Sequence, residues 1–142
     1  MHTPIYKLES KINDIYIKRD DLIPYSFGGN KARKGLLFFD DIFKQQCDCV
    51  VTYGSASSNH VRIVSNKCCE LDIPCYVVSP TEAAKSTSNS KMYKIFNAKI
   101  IEVPIQEVSN TIDDTISLLK KDGKKPYFIP GGGHGNIGTQ AY

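Results

Sequence analysis

A parallel, doubly wound α/β sheet is the fold this sequence predicts, on three observations. Short apolar runs alternate with segments of helical spacing, each run closes in a loop rich in glycine, proline or small hydroxyl residues, and no repeat or low-complexity segment interrupts the series. The length of 142 residues suits one domain, and the apolar share of 41% and charged share of 23% are those of an ordinary globular protein.

Residues 15–18 (IYIK) form the first β-type run, ahead of Arg19, Asp20, Asp21 and Leu22. Past the glycines of SFGGNKARKG (26–35), the stretch from Lys31 to about Gln46 has helical spacing, with Leu36, Leu37, Phe39 and Phe43 on one face. Residues 49–53 (CVVTY) read as a buried strand closed by the small-residue loop 54–58 (GSASS). A helix is expected from Asn59 to Leu71 and a strand over 74–78, after which 79–82 (SPTE) breaks the chain. Helix over 89–97 and strand over 99–103 come next. Glu107 to Lys121 is an amphipathic helix carrying Val108, Ile112, Ile116 and Leu119, and 120–125 (KKDGKK) is its solvated end with a glycine stop. Residues 127–129 are the last strand, before PGGGHG (130–135). The first forty residues show no evident sheet partner, and a new helix begins just as the sequence reaches Tyr142, so the front part of something longer is expected.

Composition excludes several function classes. The net charge of +3 is small, and no basic stripe interleaved with aromatics suggests nucleic-acid binding. No apolar run has membrane-spanning length and MHTPIY lacks a signal-peptide core, so a cytoplasmic protein without a membrane partner is expected. The five cysteines include the pairs Cys47/Cys49 and Cys68/Cys69, which have neither CxxC spacing nor a matching histidine pair. No metal site is expected from them, only reduced thiols.

In a sheet of this kind the loops at the strands' carboxyl ends share one edge, where ligands bind. The loop before Asn59 lies there. Open N–H groups of a first helical turn suit a carboxylate or phosphate, while the same serines serve equally as a plain N-cap. Lys31 has two readings as well. It is a solvated helix-start residue, or a partly desolvated amine that forms an imine with a carbonyl ligand. Pyridoxal phosphate is the cofactor that exploits such an amine. For it Lys31 would supply the amine, the Ser58 helix start the carboxylate pocket, and Asn59 the contact to the ring's 3-oxygen. Residues 133–138 satisfy G-x-G-x-x-G, but a dinucleotide site needs a further strand and an acidic residue about 20 positions on; a crossing between domains is the expected role. Asp20 and Asp21 read as ion-pair or turn residues, and Tyr25, Tyr53 and Tyr76 as packing residues. Ser55, Ser57 and Ser58 have no histidine–acid arrangement for a hydrolase triad.

IKRDDL (17–22), GGNKARK (28–34) and SSNHVR (57–62), in this order and spacing, resemble the 1-aminocyclopropane-1-carboxylate deaminase / D-cysteine desulfhydrase family. These are pyridoxal-phosphate enzymes of fold type II, the tryptophan-synthase-β type. PYFIPGGGHGNIGTQAY (126–142) is similar to the family's segment returning from the small to the large domain. The resemblance implies residues 1–40 as an N-terminal segment of an incomplete large cofactor domain, 41–130 as the small α/β domain and 131–142 as a glycine-rich crossing. It implies that Lys31 forms the imine with the cofactor and carries the substrate proton, and that Ser58 contacts substrate. Asn59 would bond the 3-oxygen, and the backbone N–H of His60 would lie with Ser58 and Asn59 near the substrate carboxylate. The His60 imidazole itself reads as packed or solvated. Ser57 stands where relatives commonly carry glutamine, which changes the shape of the substrate pocket. The phosphate loop, the partner of the pyridine nitrogen and the active-site tyrosines belong to the part of the family's length beyond this chain.

Three functions remain in view. The first is a pyridoxal-phosphate lyase or deaminase that turns a small amino acid, of the D-cysteine or 1-aminocyclopropane-1-carboxylate kind, into a 2-oxo acid and ammonia, as a homodimer or paired with a missing C-terminal half. The second is a truncated or split, non-catalytic interaction module. The third is a nucleotide-binding domain using Gly133–Gly138.

Overall fold

The computed structural model describes residues 2–83 and 86–142. The chain opens with a hairpin in which β1 (Ile5–Leu8) pairs antiparallel with β2 (Ile15–Lys18). Then come α1 (Asn30–Gln45), β3 (Cys49–Tyr53), α2 (Asn59–Glu70), β4 (Cys75–Pro80) and α3 (Ser88–Ile95). β5 (Lys99–Val103), α4 (Val108–Lys121), β6 (Pro126–Ile129) and the short α5 (Asn136–Thr139) complete it. Strands β3 to β6 form one parallel sheet in the order β5-β4-β3-β6.

That order follows from the core. In β3, Val50 and Val51 point to opposite faces and both are fully buried, as a central parallel strand requires. Val50 joins Phe38, Phe39 and Ile42 of α1, Val61, Val64 and Cys68 of α2, and Tyr93 of α3. Val51 and Cys49 meet Leu119, Ile112 and Ile116 of α4 on the other face. Each large side chain enclosed in this way stabilises the fold by about 1.5–3 kcal/mol. The sheet is therefore covered on both faces, the doubly wound arrangement the alternating elements predict.

The chain runs outward from β3 to β4 and β5, then returns to lay β6 on the other side of β3. The direction of winding reverses between β3 and β6. Just beyond the carboxyl ends of these two strands is the switch point at which open α/β sheets leave a crevice.

Two expectations need correction. The first forty residues do have a sheet partner, which is within themselves: Ile5 pairs with Lys18 and Leu8 with Ile15. The strand expected over 74–78 also runs on through Ser79 and Pro80, which pair with Glu102 and Val103 of β5. Proline is tolerated there because β3 has ended opposite Val78, so no ladder donor is required on that side. Residue 40 lies within α1, whose first turn carries Lys31 and whose later residues Phe38, Phe39 and Ile42 pack into the core against the sheet.

Candidate functional site

Lys31 sits in the first turn of α1, behind an unusual entry. Ser26, Phe27, Gly28 and Gly29 all have positive φ (46°, 63°, 65° and 91°). Gly28 is required: a Cβ there would come 2.6 Å from the Asp21 carbonyl. The loop is clamped from below. The Asp20 carbonyl accepts from Gly29 N at 2.6 Å. Its buried carboxylate accepts from Arg33 Nε and Nη2 at 2.8 and 2.7 Å and from Thr3 Oγ1 at 2.9 Å. Arg33 beside it holds Asp20 below the usual carboxylate range. Asp21 pairs instead with Arg19, so the two acids are ion-pair residues with separate partners.

From this turn the Lys31 side chain reaches the opposite edge of the sheet, where Nζ donates to the Gly132 carbonyl at 2.9 Å. Gly132 follows β6 with φ of 69°, and a Cβ there would stand 3.3 Å from Nζ. The amine is half-buried, and burial, with Lys34 nearby, holds its pKa below that of an ordinary lysine. It is not out in solvent, and among the described residues it has no ion-pair partner.

Gly132 lines an open cleft of about 570 Å³ at the switch point. One wall is Tyr53, Gly54, Ser55 and Ser58, between β3 and α2; the other is Pro130, Gly131, Gly132 and His134, after β6. Tyr53, expected only to pack, is thus also a wall of the cleft. Ser58 is the N-cap of α2, its Oγ accepting from Val61 N at 3.2 Å. As first-turn groups, the N–H of Asn59 and of His60 have no acceptor within their own helix.

The side chains of the SSNH stretch then diverge. Asn59 is exposed; its Oδ1 accepts from Arg62 Nη1 at 2.7 Å and Asn89 Nδ2 at 3.0 Å. Its own Nδ2 makes no hydrogen bond among the described residues. His60 is packed beneath the cleft at 2% exposure, with Nε2 2.9 Å from Thr52 Oγ1. Burial, reinforced by the Lys31 charge, pushes its pKa down to about 4. The packed alternative holds for this imidazole. Lys31 Nζ therefore bonds a carbonyl of the cleft that Ser58 lines, while the Asn59 oxygen is engaged by Arg62 and Asn89 and the His60 imidazole is turned to Thr52. Gly133 and Gly138 pack on each other, a Cβ at Gly138 falling 1.9 Å from the Gly133 carbonyl, so the G-x-G-x-x-G match closes on itself.

Sequence reasoning gave no role to Arg62, Asn89, Thr52 or Gly132. Arg62 lies inside a quoted motif, but on a helix a lone arginine reads as solvated; nothing in the sequence links Asn89 or Gly132 to this corner.

The protein is thus a doubly wound α/β protein in which a helix N-terminus lines the switch-point cleft and a half-buried amine bonds one of that cleft's carbonyls. The chain belongs to the pyridoxal-phosphate dependent enzyme family, whose sequence pattern matches residues 2–142. It is 32% identical over 152 residues to the D-cysteine desulfhydrase of Serratia proteamaculans (strain 568), covering 99% of this chain and 46% of that protein. Among solved structures it is similar to an ACC deaminase homologue, with a TM-score of 0.84 and 31% identity over 100% of this chain and 46% of the other. A pyridoxal 5'-phosphate-dependent aspartate racemase, 19% identical with a TM-score of 0.67, shares the fold. These findings bear out the resemblance carried by the three motifs. The chain spans about half the length of the relatives it matches. No helix among the described residues is long and apolar enough to cross a membrane.

The residues present fit the aldehyde end of pyridoxal phosphate: an amine of lowered pKa at the cleft, and an asparagine whose oxygen is engaged while its NH₂ group is not.

Proposed function

We propose that the chain carries the lysine side of a pyridoxal-phosphate-dependent lyase or deaminase site acting on a small amino acid. Bound there, the cofactor supplies an aldehyde that condenses with amines and a ring that draws electrons from the substrate Cα. Lys31 would hold it covalently. Once displaced by the substrate amine, the Lys31 amine would take the Cα proton, and its lowered pKa suits a group that must accept a proton near neutrality. Ser58 and the N–H groups of Asn59 and His60 would hold the substrate carboxylate at the positive end of α2. The Asn59 amide would donate to the ring 3-oxygen. For a cysteine-type substrate the Cα proton and the β-sulfur leave, and water converts the remainder to a 2-oxo acid and ammonia.

The observation that carries this reading is the placement of Lys31 Nζ, 2.9 Å from a carbonyl that lines the same cleft as Ser58. Adding pyridoxal phosphate is expected to produce a visible absorption band, and borohydride trapping followed by mass spectrometry to locate the adduct on Lys31. Lys31→Ala should lose both. Wild-type protein with neither band nor trapped Lys31 overturns the reading.

A second reading, a half that acts only with a complementary polypeptide, has its own support. The chain covers 46% of its similar relatives, and the hairpin leaves an apolar face open to solvent. Co-expression with a polypeptide matching the remainder of those relatives, then assay with D-cysteine, separates the two. Activity only with the partner makes it a half-enzyme; none in either form leaves a non-catalytic module.

A further inference from the structure

Arg62 is 8% exposed, yet no carboxylate faces it among the described residues. Its Nη1 donates to Asn59 Oδ1 at 2.7 Å and to Asn89 Oδ1 at 3.0 Å, and its Nη2 to the Ser26 carbonyl at 2.9 Å. The Phe27 ring lies 5.4 Å from Cζ, and Nε has no hydrogen-bond partner among the described residues. A charge taken out of water among neutral oxygens is costly, and no ion pair offsets it here. Stability alone does not explain such a residue. Its geometry does more: one planar guanidinium grips an asparagine of the candidate site and also the loop from which Lys31 projects. Asn89 closes the arrangement from α3, its Nδ2 donating to Asn59 Oδ1 at 3.0 Å and to the Ser57 carbonyl at 2.8 Å.

We propose that Arg62 is a positioning residue. By holding Asn59 Oδ1 it turns the Nδ2 group outward as the donor to the cofactor's 3-oxygen, and through Ser26 it fixes that donor relative to the Lys31 turn. The cofactor-facing half of the proposal rests on the function proposed above; the gripping of Asn59 does not.

The alternatives for the Asn59 side chain are an amide ordered by Arg62 and an amide that turns freely at an exposed helix start. Side-chain ¹⁵N relaxation separates them without any cofactor. In wild type the Asn59 NH₂ group is expected to be nearly as ordered as the α2 backbone. Arg62→Lys keeps a positive charge but loses the fork, and should leave that group mobile while the α2 backbone stays ordered. An equally ordered amide in folded R62K overturns the proposal.

Should R62K fail to fold, Asn59→Asp decides by itself. It sets a carboxylate against the buried guanidinium and should raise the melting temperature, with part of the gain retained at high salt because one partner of the pair is buried. An unchanged or lowered melting temperature, or a gain abolished by salt, overturns the proposal. In a third measurement, the protonation midpoint of the band formed with pyridoxal phosphate should move in R62K in the same direction as in Asn59→Ala, and no further in the double variant. Additive shifts overturn the link to the cofactor. A wild type without the band sinks the proposed function while the relaxation and melting results still stand.

Discussion

Thr52 Oγ1 gives its single proton to the Ile129 carbonyl at 2.8 Å, so its 2.9 Å contact with His60 must be donated by the imidazole Nε2. That fixes the tautomer and leaves Nδ1 a buried acceptor without a partner among the described residues. Charging this ring would leave the charge buried without water and set it beside Lys31, which is why its pKa falls to about 4 from 6.5. Because the folded value lies below the ordinary one, the unfolded chain binds the proton more tightly in between. Stability is full above 6.5 and drains as the pH falls toward 4, by at most about 3 kcal/mol. The melting temperature should therefore drop across that interval, and His60→Gln should flatten the drop. An equal slope in the variant would assign it to other groups. The sequence shows a histidine two places into a helix start; the chain from β3 to β6 that buries and orients it spans 77 residues and leaves no local mark.

Elements with strong local patterns were legible. The strands expected over 15–18, 49–53 and 99–103 form with those bounds, and no helix end lies more than two residues from expectation. β1 was missed because its four residues are all exposed and show no apolar alternation. The position of β6 beside β3 is a tertiary fact that no local pattern encodes. The entry to α1 mixes the two cases. GGNK announces a tight turn, but what holds that turn is Asp20 gripping Arg33 from thirteen residues away, with Thr3 bridging both. Breaking one side of such a buried pair typically costs about 3–5 kcal/mol. Asp20→Asn is expected to lower stability by about that much in denaturant melts, and to loosen the turn carrying Lys31, seen as faster amide exchange at Gly28 and Gly29. The Asp20 pKa is lowered, so this contribution is present above the ordinary carboxylate value of 3.8 and is lost as the pH falls below it. That window lies under the His60 interval, which lets one pH series resolve both. A loss below 1 kcal/mol would show that the pair is not what fixes the turn.

At the scale of the whole molecule, the hairpin stands apart from everything that stabilises the sheet. Directly paired residues of antiparallel strands share a face, so Tyr6, Leu8, Ile15 and Ile17 form one wholly apolar side, exposed by 51%, 42%, 45% and 40%. None of them belongs to the three buried clusters. A two-stranded hairpin is marginal in water on its own, and a net charge of +3 is too small to keep such faces apart. The chain alone should therefore self-associate with rising concentration in sedimentation velocity. Leu8→Ser with Ile17→Ser should shift it toward monomer while the melting temperature of the α/β core stays the same, because the substituted side chains touch none of that core. Association that persists in the double variant would move the adhesive surface elsewhere. A melting temperature that falls with it would mean that the hairpin and the sheet unfold as one unit, and that the lysine-bearing turn between them depends on both.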